Sequence, residues 1–142
     1  MTHVQGVRLF AASPERVFAL LTDPKVIAAA MPAMREHRVV DEDHWEATVK
    51  PPFRFAPSLT IRFEVLDRKP PLHASLHAHG GGADVTSTFD LSPDGDQQTA
   101  MHWQTDVKLA GLLARFSGHG LDAVARHQAE RTLDAVERAL VG

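Results

Sequence analysis

The sequence predicts an α+β fold: a curved antiparallel sheet of six to seven strands wrapped around one long C-terminal helix, with two short helices after the first strand. Three observations carry this. Apolar and polar residues alternate through much of the segment from His44 to Leu109, the period of half-buried strands. Helical spacing returns over the last stretch, roughly Leu112 to Val141. Two helix-start signals, Ser13-Pro14 and Asp23-Pro24, follow the first apolar run in quick succession.

The elements follow in order. Val4 to Phe10 is rich in Val, Leu and Phe and reads as the first strand. Ser13 caps a helix whose first residue is Pro14, with Val17, Phe18, Leu20 and Leu21 at helical spacing. Asp23-Pro24 opens a second short helix carrying Val26, Ile27 and an alanine run. Pro32 stops it, because proline disfavours helix in the residue before it. Trp45, Ala47 and Val49 then alternate with polar neighbours, as do Leu59, Ile61, Phe63 and Val65. The same holds for Val85, Phe89 and Leu91, and for Met101, Trp103, Val107 and Leu109. Pro51-Pro52, Lys69-Pro70-Pro71, Gly80-Gly81-Gly82 and Pro93-Asp94-Gly95 punctuate these runs, so the strands form an antiparallel meander. In the last stretch Leu113, Phe116, Val124, Val136 and Leu140 keep helical spacing. A helix from Leu112 to Val141 would be about 45 Å long, enough to cross the sheet. Gly118 and Gly120 within it mark a kink, a helix start, or room for a neighbouring group.

The 142 residues suit one domain spanning 1–142. With 44% hydrophobic and 23% charged residues, the chain has the composition of a soluble globular protein. A net charge of -3 without a basic cluster gives no footing for nucleic acid. The absence of cysteine excludes disulfides, thiolate metal sites and cysteine nucleophiles. No apolar run is long enough to span a membrane, and the N-terminus lacks a secretory pattern, so a cytoplasmic location is expected. Composition leaves the oligomeric state open.

If the sheet bends around the final helix, a space remains between them. The inward strand face should be the odd-numbered set, because Trp45, Phe63, Phe89 and Trp103 fall there. The expected ligand-binding residues are Trp45, Phe63, Phe89, Met101, Trp103, Thr105 and Phe116. The cavity mouth is expected at Phe18, Leu21, Ile27, Met31, Phe53 and Phe55, on the short helices and the proline-bounded segment. An empty space of about 300 Å3 would cost on the order of 7 kcal/mol, comparable to the stability of a whole domain. Such a space persists only where something occupies it. The alternative is that these bulky residues fill the interior completely.

Residues suited to catalysis are scarce. His73, His77 and His79 share one strand face, and two of them at i and i+2 lie about 7 Å apart, within reach of one metal ion. Leu72, Ala74, Leu76 and Ala78 on the other face are the better interior set, so the histidines are expected to face solvent. Ser87, Thr105 and Asp106 lack the nucleophile, base and orienter of a hydrolytic triad. Gly80-Gly81-Gly82 precedes a strand rather than a helix, so it is a turn and not a phosphate cradle. No catalytic residue, metal or cofactor is expected.

The run Ala12-Ser13-Pro14-Glu15-Arg16-Val17-Phe18-Ala19-Leu20-Leu21-Thr22-Asp23-Pro24, then Met31-Pro32, and the segment from Leu109-Ala110-Gly111-Leu112-Leu113-Ala114 to Ala129 carry a resemblance. The chain resembles the helix-grip superfamily of START lipid carriers, polyketide cyclases and plant pathogenesis-related proteins. More narrowly it looks like the CoxG family, whose members accompany carbon monoxide dehydrogenase. Met31-Pro32-Ala33 stands where that family has Ile-Pro-Gly. Nor do the residues through Gly142 carry its proline-rich linker and amphipathic tail, so the likeness does not extend to membrane attachment. The resemblance implies a hydrophobic pocket, no shared catalytic constellation, and association with molybdenum hydroxylases. The function expected from both readings is binding of an apolar small molecule, a lipid or quinone, and the resemblance adds a redox enzyme as partner. The alternatives are a cyclase or dehydratase using the same cavity, and a packed protein-interaction domain.

Overall fold

The computed structural model describes residues 2–30, 36–50, 58–116 and 120–141. Strand β1 (Thr2–Phe10) leads into helices α1 (Pro14–Leu21) and α2 (Pro24–Ala30). Strands β2 (Glu36–Asp41), β3 (His44–Val49), β4 (Leu59–Lys69), β5 (His73–Gly80), β6 (Ala83–Pro93) and β7 (Thr99–Leu109) follow. A 3₁₀ segment (Gly111–Phe116) and helix α3 (Leu121–Val141) complete the chain. The seven strands form one sheet in the order β1-β7-β6-β5-β4-β3-β2. Every neighbouring pair is antiparallel. The meander runs outward from β7 to β2, and β1 closes on β7, the last strand made.

Local chemistry explains the helix starts. Ser13 Oγ accepts from the Arg16 backbone N–H at 3.4 Å, and Pro14 occupies the first turn of α1, where a missing N–H costs nothing. Asp23 Oδ1 accepts from the Lys25 N–H at 2.9 Å at the start of α2. Helix α3 departs from the sequence expectation, because it starts at Leu121 and not at Leu112. Gly120, at φ +75°, adopts a left-handed conformation and accepts the first helical hydrogen bond, from the Val124 N–H. The chain before it is partly a 3₁₀ segment. With 21 residues, α3 is about 32 Å long, not 45 Å.

The strand register fixes which residues share the inner face. Trp45 opposes Phe63 and Phe89 opposes Trp103, so odd positions of β3, β4, β6 and β7 lie together. On β5 and β1 the parity switches: Ala78 opposes Phe63, and Gly6 opposes Trp103. Trp45, Phe63, Phe89 and Trp103 are all buried, while His102 on the opposite face is exposed. Edge strand β2 has no alternating pattern. Val39 and Val40 are both exposed there, and the pairing slips between Val39 and Asp41.

Helix α3 packs against α1, α2 and β1. Arg8 of β1 reaches Asp134 at 2.7 Å and also Glu137, while Arg16 donates to the Leu140 carbonyl at 2.8 Å. Buried apolar residues fall into two clusters. One joins β1, β6, β7, α1 and α3, with Phe10, Val17, Leu21, Met101 and Val136 at its centre. The other joins α2, β3 and β4 through Ile27, Trp45, Ala47, Ile61 and Phe63. Wholly buried Thr99 donates to the Ala12 carbonyl at 2.7 Å, tying the start of β7 to the turn before α1. Thr99→Val removes that donor within a buried site and is expected to lower stability by about 1–3 kcal/mol, measured as a reduced urea midpoint at unchanged slope.

Candidate functional site

A cavity of about 270 Å3 separates α3 from the inner face of β4 to β7. Leu59, Ile61 and Phe63 of β4 and Leu76 and Ala78 of β5 form one wall. Val85, Ser87 and Phe89 of β6, with Trp103, Thr105 and Val107 of β7, form the adjoining one. Helix α3 faces them with Val124, Ala125, Gln128, Ala129 and Thr132, and α2 contributes Ile27. Helix α3 is fastened at β1, where Arg8 reaches Asp134 and Glu137, and it presents Ala125 and Ala129 to the cavity over the middle strands.

The sheet side of this wall carries one pair of hydroxyls. Ser87 and Thr105 face each other across β6 and β7, with hydroxyl oxygens 2.9 Å apart. Each hydroxyl has one donor and two acceptor lone pairs, so their mutual bond leaves one O–H to be offered onward. On α3, Thr132 donates instead to the Gln128 carbonyl at 3.1 Å. Among the described lining residues, Lys50 is the one ionisable side chain. The described lining residues therefore offer apolar contact, the Ser87–Thr105 hydroxyl pair, Gln128 and Thr132 on α3 and the cationic Lys50, with no carboxylate or imidazole among them.

Trp103 is held from two sides. Its indole lies over Gly6, where a Cβ would stand 2.8 Å from Cζ2 and 2.9 Å from Cε2. The Arg126 guanidinium of α3 sits 5.8 Å from the ring centroid and also donates to the Gln5 carbonyl at 3.1 Å. Glycine at position 6 is thus a matter of close approach. The sequence signal was a lone Gly within an apolar strand, which marks close packing against a neighbour.

Of the residues expected to bind ligand, Phe63, Phe89, Trp103 and Thr105 lie in the cavity wall. Trp45 and Met101 do not. Trp45 stacks on Phe63 from the neighbouring strand β3, ring centroids 5.4 Å apart, and so stands beside the wall rather than in it. Met101 is wholly buried in the half of the sheet that α1 and α3 cover directly. The residues expected at the mouth are dispersed. Ile27 borders the cavity, whereas Phe18 and Leu21 are buried in the core cluster where α1 packs against α3 and β6. Met31, Phe53, Phe55 and the side chain of Phe116 lie outside the described residues.

The outer face of the sheet carries paired histidines and carboxylates. His3 meets Asp106 at 2.7 Å, His73 meets Asp90 at 2.6 Å, and His77 meets Asp84 at 3.0 Å. His44 meets Asp41 at 2.8 Å, a hydrogen bond that raises the His44 pKa and lowers that of Asp41. None of these groups reaches the cavity.

Comparison with known proteins places this geometry in context. The family model described as polyketide cyclase / dehydrase and lipid transport matches residues 1–141. No curated protein matches the sequence. Among solved structures, a conserved protein from Geobacillus kaustophilus is 19% identical with a TM-score of 0.83, over 99% of this chain and 95% of that one. A START superfamily protein from Mycobacterium smegmatis is 15% identical with a TM-score of 0.75, over 96% and 95%. A truncated norcoclaurine synthase from Thalictrum flavum is 14% identical with a TM-score of 0.70, over 98% and 92%. At these identities the likeness is one of fold, an open antiparallel sheet against a long C-terminal helix.

Proposed function

The chain belongs to the polyketide cyclase/dehydrase and lipid transport family, and from that premise we propose that it binds an apolar small molecule in the cavity under α3. The observation that carries this reading is the cavity itself, about 270 Å3 of mostly apolar space next to fully packed clusters. The space is partly open to solvent, so at about 24 cal/mol per Å3, the figure for a wholly enclosed space, leaving it empty would cost at most about 6 kcal/mol. That is a large fraction of a domain's stability, so an occupant is the simpler account. Phe63, Phe89, Trp103 and Val107 would supply apolar contact. The Ser87–Thr105 pair would fix one carbonyl or hydroxyl oxygen of the ligand.

A lipid or a quinone has this chemistry: an apolar body with one or two oxygens at one end. The likeness to the CoxG family around Ser13–Pro24 supports delivery of such a molecule to a redox enzyme of the molybdenum hydroxylase type, such as carbon monoxide dehydrogenase. Binding is favoured over cyclase chemistry because, among the described lining residues, Lys50 is the one ionisable side chain, with no carboxylate or imidazole beside it to complete an acid–base pair. The test is native mass spectrometry of the full chain purified from its own host, with an extract analysed for apolar small molecules. A stoichiometric apolar adduct is expected. Mass equal to the bare chain, together with no melting-temperature shift from saturating quinone or fatty acid, would leave the packed-domain reading in its place.

A further inference from the structure

The outer sheet face, opposite the cavity, holds a second constellation. Glu64 of β4 and His77 of β5 are directly opposed in register, and His79 follows His77 at i+2 on the same face. One ligand atom from each of Glu64, His77 and His79 lies within 4.8 Å of the others. Glu64 Oε1 stands 3.6 Å from His77 Nδ1. Ligand bonds of 2.0–2.2 Å in tetrahedral geometry place ligand atoms about 3.4 Å apart, so this pair is already at the spacing of a bound ion. The wider separation closes by rotation of partly exposed side chains.

The surroundings match a metal site more closely than a solvated charge pair. The other His77 nitrogen, Nε2, meets Asp84 Oδ1 at 3.0 Å. A carboxylate accepting the remote ring N–H fixes the tautomer and turns the opposite nitrogen into a lone-pair donor, as in carboxylate–histidine–metal triads. Glu64 is steadied likewise: His44 Nε2 lies 3.4 Å from its Oε2, and Asp41 in turn holds His44. That leaves Oε1 facing His77. The His77 and His79 rings are stacked, centroids 4.8 Å apart and planes 22° from parallel, so the two imidazoles are adjacent, and rotation of the partly exposed His79 ring would aim its nitrogen at the same point. The exposed Arg62 opposes His79, but Glu64 and Asp84 outnumber it.

We propose that Glu64, His77 and His79 form a binding site for a divalent first-row transition ion such as Zn2+, with Asp84 orienting His77 and solvent completing the coordination. Two imidazoles and one carboxylate suit the zinc class and are a poor match for Ca2+ or Mg2+, which take oxygen ligands. The sequence expectation of histidines facing solvent holds; what it lacked was Glu64, which only strand pairing brings beside them.

Titration calorimetry of the chelator-treated full chain with Zn2+ tests the site, with Co2+ absorption as a second readout. One Zn2+ per chain is expected, together with a Co2+ visible spectrum. Both should be lost in His77→Ala/His79→Ala and weakened in Glu64→Gln. Asp84→Asn should lower affinity about ten- to hundredfold while keeping the stoichiometry. His127→Gln, on the exposed face of α3, should bind as the parent does. These side chains lie on the outer face, so an unchanged urea midpoint will establish that the variants are folded. No heat with Zn2+ up to millimolar concentration would overturn the proposal, as would a double variant that binds with unchanged affinity.

Discussion

Gly6→Ala is expected to drive the Trp103 indole into the cavity and weaken binding of an apolar fluorescent probe at least tenfold. The added Cβ would stand 2.8–3.0 Å from Cζ2, Cε2 and Nε1 of the indole, inside van der Waals contact. Movement toward α3 would displace the Arg126 guanidinium from the ring and from the Gln5 carbonyl. The ring cannot move with its backbone, because β7 is hydrogen-bonded between β1 and β6. The open direction is the cavity, whose wall the ring already forms. Crowding of this kind costs about 1–3 kcal/mol, so the variant should fold with a lowered urea midpoint. In a Trp45→Phe background the remaining tryptophan is Trp103, and its emission should shift on substitution and respond less to ligand. Unchanged emission and probe affinity would mean that the indole has room elsewhere and that Gly6 does not shape the cavity.

Much of this arrangement was legible because the sheet obeys a period of two. Trp45, Phe63, Phe89 and Trp103 share a face by alternation alone, and His73, His77 and His79 go to the other side because Ala74 and Leu76 go inward. The helix starts were legible from Ser13-Pro14 and Asp23-Pro24, whose capping chemistry is local. What alternation does not encode is how the inner face is divided. Met101 and Trp103 are two residues apart on one strand face, yet Met101 is packed beneath α1 and α3 while Trp103 borders empty space. That difference depends on where α3 lands, and Arg8, Asp134 and Glu137 determine this over a separation of more than a hundred residues. Strand β2 was hidden because it is an edge strand with both valines exposed. The Gly6–Trp103 contact and the Glu64–His77 pairing also come from register between strands, which no single segment contains.

Val107→Trp should abolish probe binding while leaving the fold intact, and the contrast with Met101→Trp makes it decisive. Both residues point inward from β7, and tryptophan suits a strand in either place. At position 101 the surroundings are closed. Met101 is wholly buried between Leu91, Arg8 and the α1 cluster, so a larger ring must displace well-packed neighbours at a cost of about 1–3 kcal/mol or more. Val107, opposite Val85 and bordering the cavity, has free volume in front of it. Filling that space replaces a void that costs roughly 24 cal/mol per Å3 with van der Waals contact, so the urea midpoint should hold or rise. The expected pattern is therefore a stable Val107→Trp that binds no probe and a destabilised Met101→Trp that still binds it. Both are measured by probe fluorescence titration and urea denaturation on the full chain. Probe binding that survives in Val107→Trp would place the ligand site outside the cavity. Equal destabilisation of the two variants would mean that the space beneath α3 is closed in solution, and the binding reading would fall with it.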